Sequence, residues 1–219
     1  MRPPAPPPPS AIEAEGVGVV RDGQVLLLDA DIRLGAGEVG AVTGPNGVGK
    51  TTLLRVLAGL IEPTAGTVRV AGRAPDDRDR RFRRDLAALI GVPQTARDLT
   101  VLEHLRFLGA TWGLDSQQAL VEGRELLSRL HLEGLSERYP HELSSGQSQL
   151  VAIALTLARP GRVLLLDEPE QRLDPDRLGL VLGLLRDRAE QGTAILLATH
   201  ARRVVDELAD LEIAVEGPT

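Results

Sequence analysis

The sequence predicts an α/β domain with a helical subdomain inserted into it, and three observations support that. Apolar runs alternate with helical patterns along most of the 219 residues. Two of the runs, Val163-Leu-Leu-Leu166 and Ala194-Ile-Leu-Leu-Ala198, are uninterrupted. Strands buried on both faces of a parallel sheet read this way. Residues of about 95–143 read as nearly all helix, between stretches that alternate.

The elements follow in order. Met1 to Ser10 holds six prolines and no hydrophobic segment. It is expected to be a disordered or polyproline-like tail through residue 11, not a secretory signal. The ordered domain is expected over 12–219. Apolar or β-branched runs predict strands at Gln24–Leu34, Val39–Thr43, Thr67–Val70, Leu86–Val92, Arg162–Leu166, Thr193–Ala198 and Leu211–Val215. Helical spacing predicts helices at Lys50–Ala58, Val101–Ala110, Ser116–Leu130, Gly146–Leu157, Asp176–Glu190 and Ala201–Leu208. Thr100 followed by Glu103 is a capping box that opens the second of these. The cluster Arg73 to Arg84, six Arg among three Asp, reads as a solvated charged turn. There is no internal repeat.

Composition excludes several classes. The chain has no cysteine, so it carries no disulfide framework, thiolate zinc site or thiol nucleophile. No apolar run reaches the ~18 residues of a membrane-spanning helix. The net charge of −6 argues against bulk binding of nucleic acid, which needs an excess of cations on the contact face. Two oddities remain. Lys50 is the only lysine among 25 basic residues, and only Phe82, Phe107, Trp112 and Tyr139 are aromatic.

The segment Gly44, Pro45, Asn46, Gly47, Val48, Gly49, Lys50, Thr51 fits G-x-x-x-x-G-K-[ST] between a predicted strand and a predicted helix. Glycines let backbone N–H groups approach phosphate oxygens with no Cβ in the way. The helix beginning at Lys50 aims its positive end at the same anion. Lys50 reaches the β/γ-phosphates as a compact charge, Thr51 offers a hydroxyl to Mg²⁺, and Thr52 donates to the α-phosphate. A planar guanidinium does not replace the ammonium at such a crowded site. Farther on, the apolar strand Arg162–Leu166 runs into Asp167 and Glu168. Asp167 suits the Mg²⁺ shell, and Glu168 can polarise an attacking water or accept its proton.

Leu143, Ser144, Ser145, Gly146 and Gln147 then precede an apolar helix. With that segment in place, the chain resembles the ATP-binding subunit of ABC transporters, of the small bacterial type. The family's LSGGQ signature reads here Leu143-Ser-Ser-Gly-Gln147. Val92-Pro93-Gln94 is similar to the family's Q-loop, Leu173-Asp174 to the end of its D-loop, and Ala198-Thr199-His200 to its switch histidine. The resemblance implies a P-loop NTPase three-layer core with an N-terminal antiparallel β portion and an inserted helical subdomain. It further implies two such subunits packed head to tail around two ATP molecules. Ser144 and the N–H groups of Ser145 and Gly146, with Gln147, would face the γ-phosphate held by the partner. His200 would contact the γ-phosphate, and Gln94 would sense Mg²⁺ and water and link the site to a membrane partner. The implied catalytic set is Lys50, Gln94, Glu168 and His200. The implied metal set is Thr51, Gln94 and Asp167, with ATP and Mg²⁺ as cofactors.

The chain departs from the family at Ser145, usually Gly, at Ser148 and Gln149, where a basic residue is commoner, and at Gln171, usually small and polar. These positions are expected on the subunit interface. The family stacks adenine on an aromatic upstream of the phosphate loop, and the corresponding position falls near Arg21. Either Arg21 stacks its guanidinium on the base or stacking is absent. Modest ATP affinity and poor discrimination against GTP follow.

A separate transmembrane permease is the implied partner, with the chain on the cytoplasmic face of the membrane and docking near Gln94 and residues 95–112. Phe107 and Trp112 either contribute there or pack internally with Leu105 and Leu108. With 19 residues after His200, no added regulatory domain is expected. Similarity of Asp98–Phe107 to export-type subunits sets the expectation of export. Two other readings stay open: a catalytically weak partner in a heterodimeric complex, and a non-transport ATPase of the same type. The latter carries a long coiled-coil insertion, which the stretch from Thr51 to Leu143 lacks.

Overall fold

The computed structural model describes residues 10–91 and 95–217. Two sheets organise them. Strands β1 (Ile12–Arg21), β2 (Gln24–Leu34) and β4 (Ala65–Val70) form an antiparallel sheet in the order β2-β1-β4. Strands β3 (Val39–Thr43), β5 (Leu86–Leu89), β6 (Val163–Asp167), β7 (Ala194–Ala198) and β8 (Leu211–Ala214) form a parallel sheet in the order β5-β6-β7-β3-β8.

Strand β1 was not among the expected strands. Its alternation is broken by Gly16 and by register shifts between Ala14 and Val17, Val17 and Val19, and Val19 and Val20. It pairs with β2 through the two-residue turn Asp22-Gly23, both at positive φ (50° and 77°), the geometry that matches strand twist. Ala11 already belongs to this layer. Its N–H donates to Leu34 O at 2.7 Å, and its carbonyl accepts from Ala71 N at 2.7 Å. The hydrogen-bonded backbone therefore starts one residue inside the expected tail, and residues 1–9 lie outside the described ones.

The parallel strands send alternate side chains to opposite faces, and both faces are buried. Val163 and Leu165 join Val42, Leu196 and Ala198 on the side of the antiparallel sheet. Helix α1 (Lys50–Leu57) lies between the two sheets on that side, packed against β2, β4, β6 and β7. Leu164 and Leu166 join Ala41, Ile195 and Leu197 on the other side. There they meet α5 (Ser145–Leu157), α6 (Pro175–Glu190) and α7 (Arg202–Leu208). The expected strands and helices shift by a few residues at their ends, and Val92 lies outside the described residues.

The arginine-rich cluster is not a plain turn. Arg80–Asp85 forms α2, capped by Asp79, whose carboxylate accepts from Arg81 N at 2.8 Å. One residue decides it: Phe82, 1% exposed, anchors the helix in the core while the arginines face water.

The inserted stretch is helical as expected. Helix α3 (Val101–Thr111) opens on Thr100, which accepts from Glu103 N at 3.3 Å while Glu103 accepts from Thr100 N at 2.8 Å. His104 is buried, with Nδ1 on Thr100 O at 2.8 Å and Nε2 accepting from Ala96 N at 2.9 Å. Helix α4 (Ser116–Arg129) packs against α3 at glycine. A Cβ on Gly109 would stand 2.7 Å from Ala119 Cβ, so only glycine allows that approach. Phe107 is 62% exposed, not packed internally. Trp112 is half-buried, with the Arg159 guanidinium 6.0 Å from its ring centroid.

Candidate functional site

The site gathers at the carboxyl edge of the parallel sheet, where β6, β7 and β3 end side by side. Ligands of open α/β sheets bind along this edge. From β3 the chain enters the loop Gly44–Gly49 and then α1. Two of its glycines are dictated by their neighbours. Gly44 has φ 141°, and a Cβ there would stand 2.6 Å from Val215 O. Gly49 has φ 112°, and a Cβ there would stand 2.5 Å from Leu26 O. Val48 is buried beneath the loop, while Pro45, Asn46 and Gly47 are exposed.

Helix α1 has Gly49 at its N-cap, no side-chain cap and no acid in its first turn. Its first N–H groups have no intrahelical acceptors and no capping oxygen, so they are open to an anion. Lys50, 6% exposed, folds back over the loop and donates to Gly44 O at 2.7 Å and Pro45 O at 3.0 Å. The ammonium is thus held at the loop centre by acceptors that phosphate oxygens could replace. Thr51 and Thr52 are half-buried on the same turn.

Thr51 Oγ1 donates to Asp167 Oδ2 at 2.9 Å, which brings together two of the expected metal ligands. Burial holds the Asp167 carboxyl above the usual carboxylate range, against the Thr51 hydrogen bond, and the Glu168 charge pushes the same way. A divalent cation beside Asp167 would relieve that penalty. No group of three or more His, Cys, Asp or Glu with metal-binding geometry occurs among the described residues. The hydroxyl of Thr51 and the carboxylate of Asp167 are hard oxygen donors that fit Mg²⁺, which takes one or two protein oxygens and completes its shell with phosphate and water.

Glu168 sits at φ 47°, and its N–H donates to Ala198 O at 2.8 Å. This ties the end of β6 to the end of β7. His200, just past β7, places Nδ1 3.3 Å from Glu168 Oε1. The two expected catalytic side chains therefore meet. Gln94 lies outside the described residues, so its expected roles in catalysis and metal sensing are not placed.

The signature turn caps α5. Ser144 accepts from Gln147 N at 3.3 Å, and the Gln147 carboxamide oxygen accepts from Ser144 N at 2.9 Å. The Gln147 carboxamide oxygen is thus taken by the cap. Ser144 and Ser145 are exposed, and Gly146 is buried, since a Cβ there would stand 2.7 Å from Arg172 O. Arg21 is exposed at the end of β1, paired with Gln24 across the hairpin.

Several contacts were missed by sequence reasoning. Gln149 Nε2 donates to Pro169 O at 3.2 Å, and Gln171 donates from Nε2 to Glu168 Oε2. Both side chains, expected on a subunit interface, make contacts within this chain. Thr199, fully buried, donates to Glu170 Oε1, and Asp174 caps α6 by accepting from Arg177 N at 2.9 Å. Only the departures from the family pattern hinted at the first two.

The family model described as ABC transporter matches residues 27–171. An L-cystine transport system ATP-binding protein of Escherichia coli is 35% identical over 94% of this chain and 87% of its own length. The chain belongs to the ABC transporter ATP-binding family. Among solved structures, the ABC ATPase superposes on an ATP-binding subunit of an ABC transporter with a TM-score of 0.86. The two are 27% identical, over 94% of this chain and 86% of the other. An ATP-binding cassette dimer in a post-hydrolysis state, bound to ADP and phosphate, superposes with a TM-score of 0.79. It is 26% identical, over 92% of this chain and 96% of that one. A putative ABC transporter ATP-binding protein of Streptomyces coelicolor is 39% identical over 98% of this chain. The ABC ATPase spans 39% of that relative's length. The expectation of export finds no support among the named relatives. One is a methionine import protein of Nocardia farcinica, and two others are named for L-cystine and arginine transport. No helix among the described residues is long and apolar enough to cross a membrane.

Proposed function

We propose that this ABC ATPase hydrolyses Mg²⁺-ATP to drive a separate transmembrane permease, working as a dimer on the cytoplasmic face of the membrane. The observation that carries this reading is the convergence of Lys50, Thr51, Asp167, Glu168 and His200 at one sheet edge. Relatives named as ATP-binding proteins of transport systems support work with a separate transport partner, and a neighbouring cassette solved as a dimer supports a second subunit. Cargo and direction are left to the permease, since no residue of this chain is assigned to a cargo.

The mechanism follows from the side chains. The first turn of α1 and the loop glycines take the phosphates through backbone N–H groups. Lys50 exchanges its two carbonyls for β- and γ-phosphate oxygens. Thr51 and Asp167 would hold Mg²⁺, which would neutralise phosphate charge. Glu168 orients the attacking water and takes its proton, and His200 holds the γ-phosphate as charge develops on it. The signature turn, Ser144 to Gly146 with both serines exposed, offers a second helix N-terminus to the partner's nucleotide, with Gln147 shaping that turn. Gln94 is assigned the link to the permease, and Arg21 the face of adenine.

Glu168→Gln tests the reading. It keeps the side chain's shape and removes the proton acceptor. Phosphate release should fall at least ~100-fold, within the range for removal of a general base. ATP should then hold the variant as a dimer, read by light scattering. A variant that hydrolyses at the parent rate, or stays monomeric with ATP, would overturn the assignment.

A further inference from the structure

The Glu168 carboxylate is engaged on both oxygens by its own chain. Oε1 faces His200 Nδ1 at 3.3 Å, and Oε2 accepts from Gln171 Nε2. Gln171 N also donates to Glu168 O at 3.1 Å, closing a tight turn over 168–171. The turn is held from outside. Pro169 O is tied to Gln149, and Arg172 O packs on Gly146, both in the first turns of α5. Glu168 and Arg172 bracket the segment with left-handed backbone, φ 47° and 64°. Non-glycine residues persist there only where surrounding structure over-determines them.

We propose that Gln171 is a positioning residue that latches Glu168 in a resting arrangement. The N–H donated to Oε2 takes one of the acceptor positions open to an attacking water and fixes the carboxylate's direction, and charge-assisted bonds are about twice as strong as neutral ones. Hydrolysis requires Glu168 to turn from Gln171 towards the water. The inference rests on Glu168 as the proton acceptor proposed above. The latch slows the chemical step without touching the nucleotide, so it acts on kcat and leaves KM for ATP alone.

The experiment compares the whole chain with Gln171→Met, which keeps length and volume but has no N–H, and Gln171→Ser, which cannot span the turn. Gln171 is exposed, so neither disturbs the core. Both should raise kcat about three- to tenfold with KM unchanged. A second readout needs no nucleotide. In the free chain, the Gln171 side-chain amide resonance, assigned by its loss in Gln171→Met, should lie at a hydrogen-bonded shift. It should return to the free-amide position in Glu168→Ala. An unchanged or lower kcat in both Gln171 variants overturns the latch, as does a Gln171 amide indifferent to Glu168→Ala. Glu168→Gln, run in parallel, separates the two readings. If it is active, the proton-acceptor assignment has failed. If it is inactive while the Gln171 variants match the parent, only the latch has failed.

Discussion

Lys50→Arg keeps the charge at the phosphate loop and changes only its shape. Lys50 is 6% exposed, and its ammonium donates to Gly44 O and Pro45 O at 2.7 and 3.0 Å. It sits over backbone that Gly44 and Gly49 bring close to Val215 and Leu26. A guanidinium is planar, larger and branched, and cannot place its charge on one point between phosphates. Losing one charge-assisted contact to the phosphates costs about 1.5–3 kcal/mol. At ~1.4 kcal/mol per decade, kcat/KM for ATP should fall about ten- to a hundredfold. Forcing the larger group into the loop costs about 1–3 kcal/mol of stability. At about 2–4 °C per kcal/mol, the thermal midpoint falls by several degrees. Phosphate-release kinetics and a circular-dichroism melt read the two effects. A variant within about threefold of the parent would refute the claim that this site needs a point charge.

Three more outcomes follow from the structure. Burial holds Asp167 above the usual carboxylate range, so the folded chain binds that proton more tightly than the unfolded chain. Stability is therefore lost as pH rises from the ordinary carboxylate value through the raised one, and ionised Asp167 destabilises the nucleotide-free chain at neutral pH. Asp167→Asn should raise the thermal midpoint at about pH 7 and leave it unchanged below the ordinary carboxylate range. A lower midpoint at neutral pH would contradict this. Phe82→Ala removes a side chain that is 1% exposed. It should destabilise by about 3–5 kcal/mol, or roughly 10 °C in a melt. Arg21→Tyr should tighten ATP binding about tenfold by calorimetry, since base–aromatic stacking is worth about 1–3 kcal/mol. Unchanged affinity would remove Arg21 from the adenine site.

Legibility in the sequence followed from how many physical constraints each element satisfied at once. The strand at Val163–Asp167 had to be apolar on both faces, and its uninterrupted run said so. The capping box at Thr100 and Glu103 is a local rule that needs no tertiary partner, and it holds. Strand β1 failed the same test. Its three register shifts between Ala14 and Val20 move side chains between faces and erase the period-two pattern on which strand detection depends. The turn Asp22-Gly23 was the available signal, because both residues adopt the positive φ that a two-residue hairpin needs. Helix α2 was hidden for the opposite reason. Five of its six residues are charged, and the buried Phe82 alone reverses the reading of a solvated turn.

The site divides along a similar line. Motif residues were legible because phosphate chemistry fixes their type and spacing, and the fold brings Lys50, Thr51, Asp167, Glu168 and His200 to one edge as expected. Departures from the family pattern were visible as letters but not as contacts. Gln149 and Gln171 read as interface residues because the segments that carry them meet a second subunit in the family. Within this chain, both reach the 168–172 turn, Gln149 at Pro169 O and Gln171 at the Glu168 carboxylate. Those contacts depend on how α5 lies against the end of β6, which no local pattern encodes. Gly146 shows the same dependence in reverse. The signature letter that reads as an anion site is also required by steric fit, since a Cβ there would collide with Arg172 O. One glycine thus serves the N-terminus of α5 and the packing of the turn beside Glu168. On the dimer proposed above, substitution at Gly146 should therefore perturb both sites at once: the partner's nucleotide through the signature turn, and this chain's own nucleotide through Glu168.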